Sequence, residues 1–187
     1  DVHGLAEQFV ERYLGDGVVA PGFAGASGDI DPWFRVLPEI RTVNGWIPEP
    51  VLLGTMLGEE VVHTASRISE FWQDGPIRCV MKTVNLPSKG DRTATVPFGL
   101  SVARLGRVAF VGLGGEVFHQ IGRGIKKASP FPYTFVITHC NGAAGYLVVK
   151  QAYEEGGYEV RSSPFAPEAE EIVLGEVRSL LQLLWGG

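Results

Sequence analysis

Two cysteines in 187 residues, Cys79 and Cys140, are too few for a disulfide framework, and they lack the C-x-x-C spacing of a redox or zinc pair. Each lies in an apolar, strand-like run, where a buried free thiol is expected. No stretch of about 18 apolar residues occurs, so no segment is expected to span a bilayer. Positive charge is also scarce. The 16 Lys and Arg stand against 21 Asp and Glu, and a net charge of -5 argues against nucleic acid or an anionic membrane surface as partner. The four histidines, His3, His63, His119 and His139, form neither H-E-x-x-H nor H-x-H, so by themselves they assemble no familiar zinc cluster. Internal repeats and low-complexity segments are absent. The sequence begins at Asp1 rather than methionine, as expected of a processed chain or a fragment, so its first residues carry no information about targeting.

What is abundant is glycine, with 25 residues, and proline, with 12, in a chain that is 45% hydrophobic. That combination describes a globular domain of many short elements joined by chemically specific turns. Leu5, Phe9, Val10 and Tyr13 have helical spacing over 4–14, stopped by Gly15 and Gly17, and Gly17 to Ala20 then reads as a buried strand leading towards Phe23. Gly25 to Pro32 is a small-residue turn closed by Asp31-Pro32, and 33–50 reads as an ordered loop. Val51, Met56, Val61, Ala65, Ile68 and Trp72 predict one long amphipathic helix over 50–72. Strands are expected over 77–86, 93–104, 108–113 and 133–140. Helices are expected from Gly114 to about Ala128, near 149–155, and from Ala166 to the end. Strands followed by helices, with an antiparallel group in the middle, indicate an α/β domain with a mixed β-sheet core flanked by helices.

Several segments carry candidate chemistry. Gly112-Leu113-Gly114-Gly115-Glu116 follows a strand, but it lacks both the G-x-G-x-x-G order and the Lys-Ser/Thr of a phosphate loop, so a nucleotide-binding domain is a weak alternative. Glu116 nevertheless stands at the C-terminal end of a strand, where ligand sites form in α/β sheets; its plain structural role would be to favour a helix N-terminus. Tyr146 ends the loop Asn141 to Gly145, and Tyr158 follows the Gly156-Gly157 turn twelve residues later. Either ring could serve only as amphipathic packing. Asp29 and Asp31 are a possible carboxylate pair, although Asp-Pro turns need no function. Glu60 and His63 suit a solvated helix face, and His139-Cys140, as strand neighbours, point to opposite faces and do not make a dyad.

Taken in order, Phe23 through Pro32, Val108 through Phe118, Lys126 through Phe131, and Asn141 through Glu159 continuing into Ser162 to Pro167 resemble the catalytic domain of the neutral/alkaline non-lysosomal ceramidase family, especially its shorter bacterial relatives. The resemblance extends nearly end to end. It implies that residues 1–187 are the C-terminal portion of a longer, here incomplete, ceramidase-like catalytic domain, whose N-terminal half carries the zinc histidines. It also implies a zinc-dependent hydrolase, active only with that half, that cleaves an N-acyl amide, a ceramide-like lipid or a related ester with metal-activated water.

By the same resemblance Glu116 is a Zn2+ ligand, Tyr146 sits at the metal, and Tyr158 supports the carbonyl oxygen of a small amide or lipid substrate. The family's serine before the proline is replaced by Asp31, which as a carboxylate accepts hydrogen bonds and cannot donate them. That replacement raises the alternative of a non-catalytic binding protein on the same fold. Asp31 is otherwise expected to orient water or a substrate amine. The compartment stays open, with secretion or a periplasmic location compatible with the family.

Overall fold

The computed structural model describes residues 2–31 and 49–186; nearly all of the expected loop over 33–50 lies outside them. The chain divides into two compact units, Asp1–Phe23 with Asp31–Trp72, and Ala24–Ile30 with Gln73–Gly187.

The first unit is a pair of helices, α1 (Val2–Leu14) and α2 (Glu49–Ser66). Gly54 and Gly58, one turn apart, let them close. A Cβ on Gly54 would stand 2.5 Å from the Leu5 Cβ, and one on Gly58 2.7 Å from the Phe9 ring. Gly15 ends α1 in the left-handed region (φ +93), its N–H donating to the Glu11 carbonyl at 3.0 Å. The strand expected after it does not form, and Val19 is exposed. Instead the carboxylates of Glu11 and Glu7 accept the N–H groups of Ala20 and Gly22, and Pro21 between them has no N–H to offer a ladder. Helix α2 stops at Ser66, short of the expected Trp72; the Ser66 hydroxyl donates to the His63 carbonyl, and Arg67 and Ile68 close tighter three-residue turns.

The second unit is built on a four-stranded mixed sheet in the order β1-β2-β3-β5, from β1 (Ile77–Pro87), β2 (Thr95–Leu105), β3 (Val108–Leu113) and β5 (Tyr133–Ile137). β1, β2 and β3 pair antiparallel, and β5 lies parallel to β3. That parallel step needs a crossover, which α3 (His119–Ala128) supplies. The last helix, α6 (Ala169–Gly186), packs against α3, β1 and β2. Alternation sorts the sheet. Leu86, Phe98, Leu100, Val102, Val111 and Val136 meet Ile121, Ile125, Val173, Val177 and Leu181 in one core.

The neighbours of those residues form the other face. Ile77, Met81 and Phe135 are 77%, 65% and 53% exposed, and the Phe110 and Phe135 rings stack at 5.2 Å. Cys79 belongs to this outer face and is exposed, and Cys140 is only half-buried beyond the end of β5, so neither is the buried thiol expected. β5 itself ends at Ile137 rather than residue 140, and His139 takes a left-handed backbone (φ 53) instead of a strand position.

Ala24–Ile30 is woven into this unit. Thr138 donates through its N–H to the Ala24 carbonyl and through its hydroxyl to the Gly25 carbonyl. A Cβ on Gly122 of α3 would stand 2.5 Å from the Ala26 Cβ, which is why the segment is made of small residues.

A candidate active site at the paired ends of two short strands

Glu116 does not open a helix, as the pattern predicted. It forms a two-residue strand, β4 (Glu116–Val117), paired in parallel with β6 (Tyr146–Leu147) in the register Glu116↔Tyr146 and Val117↔Leu147. Tyr146 is thus a strand residue rather than the end of a loop. Val117 and Leu147 are fully buried, so alternation turns Glu116 and Tyr146 to the opposite, partly open side. The Glu116 N–H donates to the Gly145 carbonyl at 2.9 Å, and the Phe118 N–H to the Leu147 carbonyl at 3.1 Å. Gly115 has no room for a side chain, since a Cβ there would lie 2.6 Å from the Gly145 carbonyl oxygen and 2.9 Å from the Phe98 ring. Of the glycines that invited a phosphate-loop reading, Gly114 and Gly115 serve close backbone approach, and Gly112 leaves room for the Ser101 and Cys140 side chains.

Tyr158 is brought to the same place by a different device. Gly156 (φ +77) and Gly157 (φ +110) take conformations that side-chain-bearing residues avoid, and start the short helix α5 (Tyr158–Ser162), after the single-turn α4 (Ala152–Glu155). The Tyr158 ring meets Tyr146 edge to face, with centroids 5.9 Å apart and planes at 80°. Tyr158 is 60% exposed, so its hydroxyl remains accessible. Tyr153, between them in sequence, is committed elsewhere: its hydroxyl donates to the Phe165 carbonyl at 2.6 Å.

The electrostatics follow from that geometry. The Tyr146 hydroxyl hydrogen-bonds the Glu116 carboxylate, which with partial burial and the nearby Tyr158 and Glu159 pushes its pKa up to about 12. Tyr146 is therefore a neutral donor at ordinary pH. Because the folded value stands above the ordinary 10.0, the stabilising effect is intact below about pH 10 and is lost as pH rises through about 12. In metal-free protein Glu116→Gln should return the Tyr146 titration towards 10.0, read as the difference in phenolate absorbance between each protein and its Tyr146→Phe derivative. An unchanged titration would mean that Glu116 does not govern Tyr146.

Glu116, Tyr146 and Tyr158 thus come together, whereas Asp31 belongs to the first unit and is exposed. Its neighbour Asp29 belongs to the second unit and holds His119, with carboxylate oxygens 2.7 Å from the His119 N–H and 2.5 Å from its Nδ1. Sequence reasoning paired Asp29 with Asp31 and left His119 without a role. The only hint was that His119 stands three residues after Glu116. A carboxylate and a phenol are suitable oxygen donors for zinc, which needs about four ligands. Among the described residues no group of three or more His, Cys, Asp or Glu stands together to hold a metal ion. These residues fit one side of a zinc shell without completing it.

No protein-family model matches the sequence, and no curated protein matches it. Solved structures do. A neutral ceramidase from Pseudomonas aeruginosa superposes with a TM-score of 0.75 over 98% of this chain, at 12% identity. The fold is ceramidase-like. A ceramidase complexed with C2 gives a TM-score of 0.65 over 100% of this chain at 13% identity. The chain spans 40% and 42% of the lengths of those two proteins. At such identities the likeness establishes the arrangement of sheet and helices.

Proposed function

We propose that this chain carries part of the active site of a zinc-dependent hydrolase that cleaves an N-acyl amide, ceramide-like lipids included, or a related ester. The observation that carries the reading is the gathering of Glu116, Tyr146 and Tyr158 at one place on a ceramidase-like fold. Glu116 and Tyr146 would hold the metal, with the remaining ligands supplied by a further, N-terminal part of such a domain. When bound, zinc lowers the pKa of water to roughly 7 and polarises a carbonyl.

The chain's own residues contribute around it. Tyr158, exposed and held over Tyr146, donates to the carbonyl oxygen as negative charge gathers there, an interaction worth about 3 kcal/mol in comparable sites. Asp31, in the other compact unit, accepts rather than donates and so does not reproduce the serine of the ceramidases that the sequence resembles. The same residue favours a second reading, a binding protein that keeps the fold and the cleft without turnover.

Elemental analysis of the full-length protein and assay against ceramide and simpler N-acyl amides and esters separate the two. One zinc per chain and hydrolysis lost in Tyr158→Phe support the hydrolase. Ligand binding without turnover supports the second reading, and an absence of stoichiometric zinc overturns the first.

A further inference from the structure

A histidine–carboxylate pair is built onto the end of β4, immediately after Glu116, and it does more than cap a helix. Asp29 lies in the turn Ser27 to Ile30, closed by the Ile30 N–H on the Ser27 carbonyl, and the Gly28 N–H donates to the Val117 carbonyl at 2.9 Å. Gly28 is packed so closely on β4 that a Cβ would stand 3.1 Å from the Glu116 carbonyl carbon and oxygen. The turn is thereby fixed to the backbone that carries Glu116.

From there Asp29 uses both oxygens on His119. One accepts the backbone N–H at the start of α3, where Phe118 provides no side-chain cap. Capping needs only that bond. The second, to the ring Nδ1, fixes the ring's orientation and places the proton on Nδ1, leaving the Nε2 lone pair without a protein partner among the described residues. The His119 side chain is 37% exposed and that of Asp29 21%, so the orienting carboxylate is the more enclosed of the two. His119 stands three positions after Glu116, a backbone span of at most about 11 Å.

We propose that His119, oriented by Asp29, is the proton-transfer residue of the Glu116–Tyr146–Tyr158 site; this rests on the hydrolase reading given above. As the oxygen of water bonds to the acyl carbon, its proton passes to His119 Nε2 and the carbonyl electron pair moves to the oxygen beside Tyr158. When that pair returns, the acyl C–N or C–O bond breaks and the proton on Nε2 goes to the departing nitrogen or oxygen. The imidazole is regenerated, and the products are a carboxylic acid and an amine or alcohol. Asp29 is a positioning residue: it touches no reacting atom.

Two variants test this in the full-length protein, assayed on the acyl substrate that the wild type turns over best. His119→Gln leaves the bond from the residue 119 N–H to Asp29 in place, so the helix cap survives. It is expected to lower kcat by about 10²- to 10⁴-fold, the usual worth of a general acid–base, with KM little changed. Asp29→Asn keeps an oxygen for the backbone N–H but turns an amide donor to the ring, which reverses the tautomer. Nitrogen NMR of the imidazole should show Nδ1–H in the wild type and Nε2–H in Asp29→Asn, with a comparable loss of kcat. If Glu116→Ala abolishes turnover while His119→Gln keeps kcat within threefold, the inference falls and the hydrolase reading stands. If Asp29→Asn loses kcat with its tautomer unchanged, Asp29 acts as a cap alone and the positioning role is overturned. A wild type that turns over no acyl substrate removes both readings together.

Discussion

Glu116→Ala is expected to lower kcat/KM for acyl hydrolysis by more than about 100-fold and to remove zinc from the full-length protein. Loss of residues that merely support a metal ligand already costs roughly 10- to 100-fold, and Glu116 is proposed as a ligand itself. The expectation is selective because the position of Glu116 does not depend on its carboxylate. Its N–H is bonded to the Gly145 carbonyl, the next residue, Val117, is fully buried, and the register with Tyr146 is set by backbone pairing. The side chain can therefore be removed while β4 and β6 stay paired, and the thermal midpoint should move by only a few degrees, as for a loss under about 1 kcal/mol. Inductively coupled plasma analysis, a melting curve and a rate on the same preparation give the result. Retained zinc with an unchanged rate would remove Glu116 from the site; a collapsed melting curve would show that the carboxylate holds the fold.

Phe98→Ala should act on the fold and reach the site only through it. Phe98 is fully buried, meets Phe165 edge to face with centroids 5.6 Å apart, and reaches to within 2.9 Å of where a Cβ on Gly115 would stand. Truncating a buried phenylalanine costs about 3–5 kcal/mol, from lost transfer energy and from the cavity left behind. Domains are stable by only about 5–15 kcal/mol, so this one change removes a large share. Urea denaturation followed by tryptophan fluorescence should show the loss in the midpoint. Hydrogen exchange should show the amides of Glu116 and Phe118 opening faster than in the wild type, because the ring underlies the strand pair they stabilise. A loss under about 1 kcal/mol would mean that the β4–β6 layer repacks over the cavity.

Much of the secondary structure was legible because it is written in local spacing. Leu5, Phe9 and Val10 specify the first helix, and the turn Pro87 to Asp91 separates two strands that do pair, Ile77 with Leu105 through Pro87 with Thr95. The errors share a cause. Gly17 to Ala20 has strand-forming composition but pairs with no strand among the described residues; the Val18 N–H goes to the Gly15 carbonyl and the Ala20 N–H to the Glu11 carboxylate. Gly114 to Glu116 has the look of a helix start, but Glu116 begins a strand with Val117 because Tyr146–Leu147 offers a ladder. In both cases a partner outside the local window decided the outcome, and local preference yielded to it.

The sequence alone determined the α/β class, the low content of cysteine and positive charge, and the residues Glu116, Tyr146 and Tyr158 as a candidate set. It also carried the resemblance to ceramidases that the superposition bears out at the level of fold. Only the tertiary structure decided which of those residues share a place. The register of Glu116 on Tyr146, the edge-to-face contact of Tyr146 with Tyr158, and the grip of Asp29 on His119 from 90 residues away are contacts between distant segments. Alternation likewise tells which residues share a face of the sheet, but not which face the helices cover. Periodicity acts over a few residues, whereas such contacts depend on where the whole chain finds its core, and no local pattern encodes that.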